Sequence, residues 1–229
     1  MVSPTPPNKK ITCKICGADF YPSDKWQIQK EKLLLAEGAD VHRFLIYACK
    51  SYKKPDVEVI DFGGINELRA FLQNLKMMPN FSKVKTLVIA RDAETDVNAA
   101  IAKLASALEN INLPVPQEPF LFTSNSNIRT AVMLFPGPDQ KGKCQNGTIE
   151  ELCLTTVNDS PLLKCVDAFL QCAQKSNEEL KHPWKSRLYA YLAGKNDHAG
   201  KKLGQAAKDK VWKFNHASMA PFKKIIKEM

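Results

Sequence analysis

Leu33-Leu34-Leu35-Ala36-Glu37-Gly38-Ala39-Asp40 and Leu87-Val88-Ile89-Ala90-Arg91-Asp92-Ala93-Glu94-Thr95-Asp96 share one pattern: an apolar run ends in carboxylates and a helical segment follows. Unbroken apolar runs of this length suit parallel strands buried on both faces, whereas half-exposed strands alternate apolar and polar residues. Open α/β sheets bind ligands at the carboxyl ends of their strands, so the two acidic segments are expected to share one crevice. Carboxylates gathered there repel one another unless a cation neutralises them. Oxygen donors of this kind suit Mg²⁺ or Mn²⁺.

Outward from these stretches, strand and helix alternate. Lys32–Ala36, Val57–Asp61 and Lys85–Ala90 read as strands. Val41–Tyr52, Ile65–Lys76 and Val97–Asn110 read as the helices between and after them. Val97, Ile101, Leu104 and Leu108 recur at helical spacing, and Thr95 or Asp96 is placed to cap that helix. Pro-rich residues 114–119 break the pattern, and Phe120–Thr123 and Ile128–Phe135 read as further strands. Pro136 to Gly147 reads as a long loop, either a flap over a site or an irregular excursion. The remainder is helical: Thr148–Leu154, Pro161–Gln174, His182–Ala193, Lys201–Phe214 and Ala217–Lys227. The expected architecture is an α/β fold, a mainly parallel Rossmann-like sheet flanked by helices, with a helical basic C-terminal extension. The expected divisions are an irregular leader over 1–29, an α/β domain over 30–155 and a helical region over 156–229.

Charge is distributed unevenly. Residues 1–180 balance 21 Lys and Arg against 21 Asp and Glu, so the whole net charge of +9 falls in residues 181–229. A basic block beside an acidic core favours a phosphodiester partner, because backbone phosphates supply most non-specific affinity for nucleic acid. Lys201, Lys202, Lys208, Lys210 and Lys213 are the candidate phosphate contacts. Trp184, Tyr189, Tyr191, Trp212 and Phe214 are interleaved with them, suited either to stacking on bases or to anchoring the tail in a core. No run approaches the roughly 20 apolar residues of a membrane span. The first ten residues are polar and Pro-rich without an apolar signal core, so a cytoplasmic protein is expected.

Seven cysteines without an export signal read as thiols. Cys13 and Cys16 form a Cys-x-x-Cys-Gly knuckle, half of a zinc site, and no second Cys-x-x-Cys supplies the other half.

Glu37-Gly38 with Asp40, then Asp92-x-Glu94 with Asp96, each closing an apolar strand, resembles the Toprim domain shared by topoisomerases, bacterial primases, OLD-family nucleases and small ribonuclease-like proteins. Val132 to Pro136, followed by Gly147-Thr148-Ile149-Glu150-Glu151-Leu152, is similar to the small stand-alone Toprim proteins. The resemblance covers roughly residues 30–155. It implies that Glu37 is an acid–base or metal-contacting residue and that the Asp92-x-Glu94 pair, with Asp96, holds a divalent ion; if the loop over 136–147 folds over the sheet, Glu150 is placed to supply a ligand for a second ion, and otherwise it is ordinary N-terminal helix charge. Glu94 stands where the family pattern has Asp, and the glycine usual shortly afterwards is absent.

The function expected is therefore a Mg²⁺- or Mn²⁺-dependent nuclease or related phosphodiester-transfer enzyme. The alternative is a non-catalytic Toprim-like module that binds nucleic acid or a nucleotide, partnered with a separate ATPase. A zinc-stabilised interaction protein is the third reading. Asp40 reads as a helix cap or a metal contact, His42 as a surface or core histidine, and Gly63-Gly64 as a tight turn or a close approach to phosphate.

Overall fold

The structure is a computed structural model describing residues 27–176 and 179–229, together with the backbone of a short antiparallel pairing between β1 (Ile11–Thr12) and β2 (Asp19–Phe20). Cys13 and Cys16, and with them the zinc expectation, lie outside the described residues.

Five strands form the main sheet: β3 (Lys32–Glu37), β4 (Val57–Gly63), β5 (Thr86–Asp92), β6 (Thr123–Ser124) and β7 (Arg129–Phe135). Their spatial order is β4-β3-β5-β7-β6, parallel throughout except for β6, which runs antiparallel to β7 at one edge. In the central register Leu34 faces Val59 on one side and Val88 on the other, and Val88 faces Ala131.

Each apolar run feeds two cores because alternate side chains point to opposite faces. Leu33, Leu35, Leu87, Ile89, Val132 and Leu134 pack against α2 (Leu68–Lys76) and α3 (Val97–Glu109). Leu34, Ala36, Val88, Ala90, Met133 and Phe135 face α1 (Gly38–Ser51) and the later helices. These are α4 (Ile149–Thr155), α5 (Leu162–Lys175), α6 (Pro183–Ala193), α7 (Leu203–Lys208) and α8 (Ala220–Glu228).

The helices after residue 155 share one core with the sheet. The Phe222 ring stacks on Phe135 with centroids 5.0 Å apart and meets Phe120 edge-on at 5.0 Å. Tyr191 and Trp212 are buried and stacked, and the Trp212 indole N–H donates to the Leu203 carbonyl at 3.0 Å. Phe214 packs beside Phe44, while the Tyr52 hydroxyl donates to the Phe214 carbonyl at 2.7 Å. Three of the five tail aromatics are thus core anchors, and Trp184 and Tyr189 remain exposed.

The helix expected over Lys201–Phe214 is only α7. It ends in a Schellman turn: Lys210 takes φ +59°, its N–H bonds to Ala207, and the Val211 N–H bonds to Ala206. That turn lets Trp212 re-enter the core. The strand expected at Phe120–Thr123 is displaced to Thr123–Ser124, although the Phe120 N–H still bonds to Val132 on β7. Among the described residues no helix is long and apolar enough to cross a membrane.

Phe222→Ala is expected to lower stability by about 3–5 kcal/mol, read as a lower urea midpoint of the whole chain. An unchanged midpoint would mark α8 as energetically separate from the sheet.

Candidate functional site

The chain leaves β3 through α1 on one face and β5 through α3 on the other, while β3 and β5 are neighbours. That arrangement is the switch point of an open sheet, where a crevice opens beyond the strand ends. Glu37 ends β3 and Asp92 ends β5, so both sit at its lip. Gly38, at φ +79°, makes the sharp turn from strand into helix that a side chain would strain.

The third arm of the site comes from the loop over 136–147, which is folded back and tied down. The Asp139 carboxylate accepts the Lys141 and Lys143 N–H groups, and Gln145 bonds back to Gly137. Gly147 exchanges two backbone bonds with Glu94, at 2.8 and 2.7 Å. The Asn146 side chain donates to the Thr95 carbonyl and accepts from the Val97 N–H. At φ +136°, a Cβ on Gly147 would lie 2.0 Å from Glu151 Oε2, so the clamp requires glycine there. Its consequence is that α4 begins against β5: the Ile149 N–H donates to Asp92 Oδ1 at 2.8 Å, and Glu150 is buried beside it.

Sequence reasoning missed the centre of the site. Arg91 is 1% exposed, with Nε 3.2 Å from Glu37 Oε2 and Nη2 3.6 Å from Glu94 Oε2. Its Nε also donates to the Asp92 carbonyl, and its buried Nη1 has no partner. The signal was present as a lone charge inside an apolar strand, which must find counter-charges if it is buried. Glu37 Oε1 accepts the Ile65 N–H at 3.0 Å, whereas Glu37 Oε2 and Glu150 Oε2 are buried without a hydrogen bond.

Burial pushes the Asp92 carboxyl up to about 7, reinforced by Glu150 and, less strongly, by Glu37 and Glu94, while the Ile149 N–H pulls it down. Burial also raises Glu37, opposed first by Arg91. Glu37, Asp92, Glu94 and Glu150 are therefore electrostatically one group. Asp96 is not part of it: its Oδ1 caps α3 by accepting the Ala99 N–H at 3.0 Å. Glu94 takes φ +57° and its side chain is 59% exposed, held at the rim by Arg91.

Other expected contacts are occupied. Asp40 accepts the Gly204 N–H at 3.1 Å, joining α7 to the start of α1. His42 is buried, with Nε2 3.0 Å from the Val59 carbonyl. The Gly63 and Gly64 N–H groups already bond to Asp61 and Glu67, so this turn does not present them to a phosphate. Of the candidate lysines, Lys201 pairs with Asp209 at 2.7 Å and Lys213 with Asp159 at 2.6 Å; Lys202, Lys208 and Lys210 are exposed. Tyr189 of α6 lies within the electrostatic reach of Asp40 and Glu150. Among the described residues no three His, Cys, Asp or Glu side chains are grouped to hold a metal ion.

Folding favours the neutral form of Asp92, so the stability it contributes is complete below about pH 4 and lost as the pH rises through about 7. Asp92→Asn should therefore be more stable than wild type at pH 8, by on the order of 2–4 kcal/mol, with the gap closing towards pH 4. Thermal melts across that range check the trend. Arg91→Met leaves Glu37 buried beside no cation and should cost about 3–5 kcal/mol near neutral pH, less in acid, where Glu37 takes up a proton. Equal losses at both pH values would contradict the ion-pair role.

No curated protein and no solved structure matches the chain. A family model described as "Protein of unknown function (DUF3226)" matches residues 31–229. The match runs from the start of β3 through α8 and includes Glu37, Arg91, Asp92 and Glu150. The chain belongs to the DUF3226 family.

Proposed function

We propose that this chain is a Toprim-like, Mg²⁺- or Mn²⁺-dependent nuclease, hydrolysing phosphodiesters of nucleic acid at the carboxylate crevice. The observation that carries the proposal is the burial of Asp92 beside Glu150 at the switch point, with Glu150 Oε2 left without a partner. Two carboxylates supplemented by water and substrate phosphate are a donor set that Mg²⁺ commonly uses, in place of a cage built wholly from protein. When bound there, the ion would polarise a phosphoryl oxygen and acidify a water molecule.

The protein groups divide the remaining work. Glu37, with its raised pKa and with Oε2 held only by the ion pair to Arg91, holds or releases a proton beside the reacting phosphate. Arg91, whose buried Nη1 has no hydrogen-bond partner, would donate to a non-bridging phosphate oxygen that enters the crevice and stabilise charge that develops there. Glu94 keeps the guanidinium in place from the rim. Lys202, exposed at the start of α7 near Asp40, attracts the flanking backbone.

A second reading is favoured by Arg91 itself, which already neutralises part of the cluster. On that reading the chain is a non-catalytic Toprim-like module that binds nucleic acid or nucleotide, working with a separate ATPase.

Labelled single- and double-stranded DNA and RNA, incubated with Mg²⁺, Mn²⁺ or chelator, separate the two. The nuclease reading expects metal-dependent cleavage that falls at least about 100-fold in Asp92→Asn and Glu37→Ala. Retained binding without cleavage in any condition would leave the second reading.

A further inference from the structure

A cavity of about 440 Å³ opens between α4, α5 and α6, one helix face away from the carboxylate cluster. Glu151 lines it, and the adjoining residue Glu150 belongs to the cluster. With a rise of about 1.5 Å per residue, the seven-residue α4 spans only about 10 Å, so cavity and cluster are near neighbours.

Trp184 forms one wall, with 41% of its surface exposed. The Arg187 guanidinium sits 5.9 Å from the indole centroid and is fixed by a two-pronged bond to Asp167 at 2.6 and 2.9 Å. The pairing with Asp167 thus holds Arg187 over one face of the indole. Asn158 and Ser160 add hydrogen-bonding groups at the wall, and Lys164 adds a positive charge. The carboxylates that also line the cavity are engaged: Asp159 with Lys213, Asp167 with Arg187, and Glu151 with the Thr148 N–H. An aromatic platform, hydrogen-bonding groups and the Lys164 ammonium, with Asp159 and Asp167 each ion-paired, together suit a planar heterocycle on an anionic backbone.

The same helix points towards the cluster. Tyr189, the other exposed aromatic of α6, is electrostatically coupled to Asp40 and Glu150, and it lies five residues beyond Trp184, or about 7.5 Å along the axis.

We infer that this cavity is a base-binding subsite: it stacks an unpaired base of single-stranded nucleic acid on Trp184 while the backbone continues to the carboxylate crevice. The inference rests on the nucleic-acid reading proposed above and narrows it to single strands, because a paired base is not free to enter.

Binding of labelled oligo(dT), oligo(U) and a blunt DNA duplex, measured by fluorescence anisotropy in chelator, tests it without requiring cleavage. Trp184→Ala is expected to weaken single-strand binding about tenfold or more. Trp184→Phe should stay within a few-fold of wild type, and duplex binding should be unchanged by either. Equal single-strand affinity in wild type and Trp184→Ala, with both melting alike, overturns the subsite, as does failure of wild type to bind either single strand. Trp184-dependent binding with no cleavage supports the subsite while sinking the nuclease reading. Asp92-dependent cleavage indifferent to Trp184 does the reverse.

Discussion

Arg91 lies buried between Glu37 and Glu94, with its Nε also on the Asp92 backbone carbonyl, and a guanidinium removed from water in this way is tolerated only where carboxylates face it. The converse also holds: Glu37 and Asp92 project from the ends of two hydrogen-bonded strands and cannot move apart without breaking the sheet. The central strands therefore carry a fixed cluster of charge, and the surrounding elements are arranged to satisfy it. The β4–α2 turn delivers the Ile65 N–H to Glu37, the Gly147 clamp brings the Ile149 N–H to Asp92, and Arg91 pairs with Glu37. Satisfaction is incomplete, since Arg91 Nη1, Glu37 Oε2 and Glu150 Oε2 remain without hydrogen-bond partners. Buried groups of both signs that lack a full set of hydrogen bonds at one crevice are what a ligand carrying both cation and anion would complete.

The two faces of the sheet are covered unequally. Two helices suffice for one face, whereas the other takes α1 and every helix after β7. This explains why a basic segment expected as an appendage is instead structural: its aromatic residues are needed against Phe44, Phe135 and Tyr52, and its lysines point outward from the same helices. Burial and charge thus come from opposite faces of one amphipathic region. The contact between Gly204 and Asp40 brings part of that charge to the crevice.

Strands and helices were legible in the sequence to different degrees. The β3, β5 and β7 runs could be read because a strand buried on both faces is apolar at nearly every position. Helix ends were harder. Lys53, Asn112 and Lys210 all take positive φ in Schellman turns that close α1, α3 and α7, where glycine is the usual sign. With no glycine at residue 210, nothing local announces that the helix stops there. In the site, Glu37 and Asp92 were visible as charges that follow apolar runs, while Asp96, expected both as a cap and as a metal contact, caps α3. Arg91 was overlooked because its meaning depends on partners at residues 37 and 94 being brought to it.

From its residues alone, this chain determines that β3 and β5 are buried parallel strands and that each presents a carboxylate at its carboxyl end. These are consequences of local apolar pattern and strand direction, which neighbours in sequence suffice to specify. Only the tertiary structure decides that Arg91 pairs with Glu37 rather than facing solvent, that Ile149 bonds to Asp92 across a separation of 57 residues, and that Asp40 holds Gly204 across 164. Such contacts are set by the order in which strands pack and by which helix covers which face. A charge has no partner in sequence; it acquires one when packing brings it within a few ångströms and removes the water that would otherwise screen it.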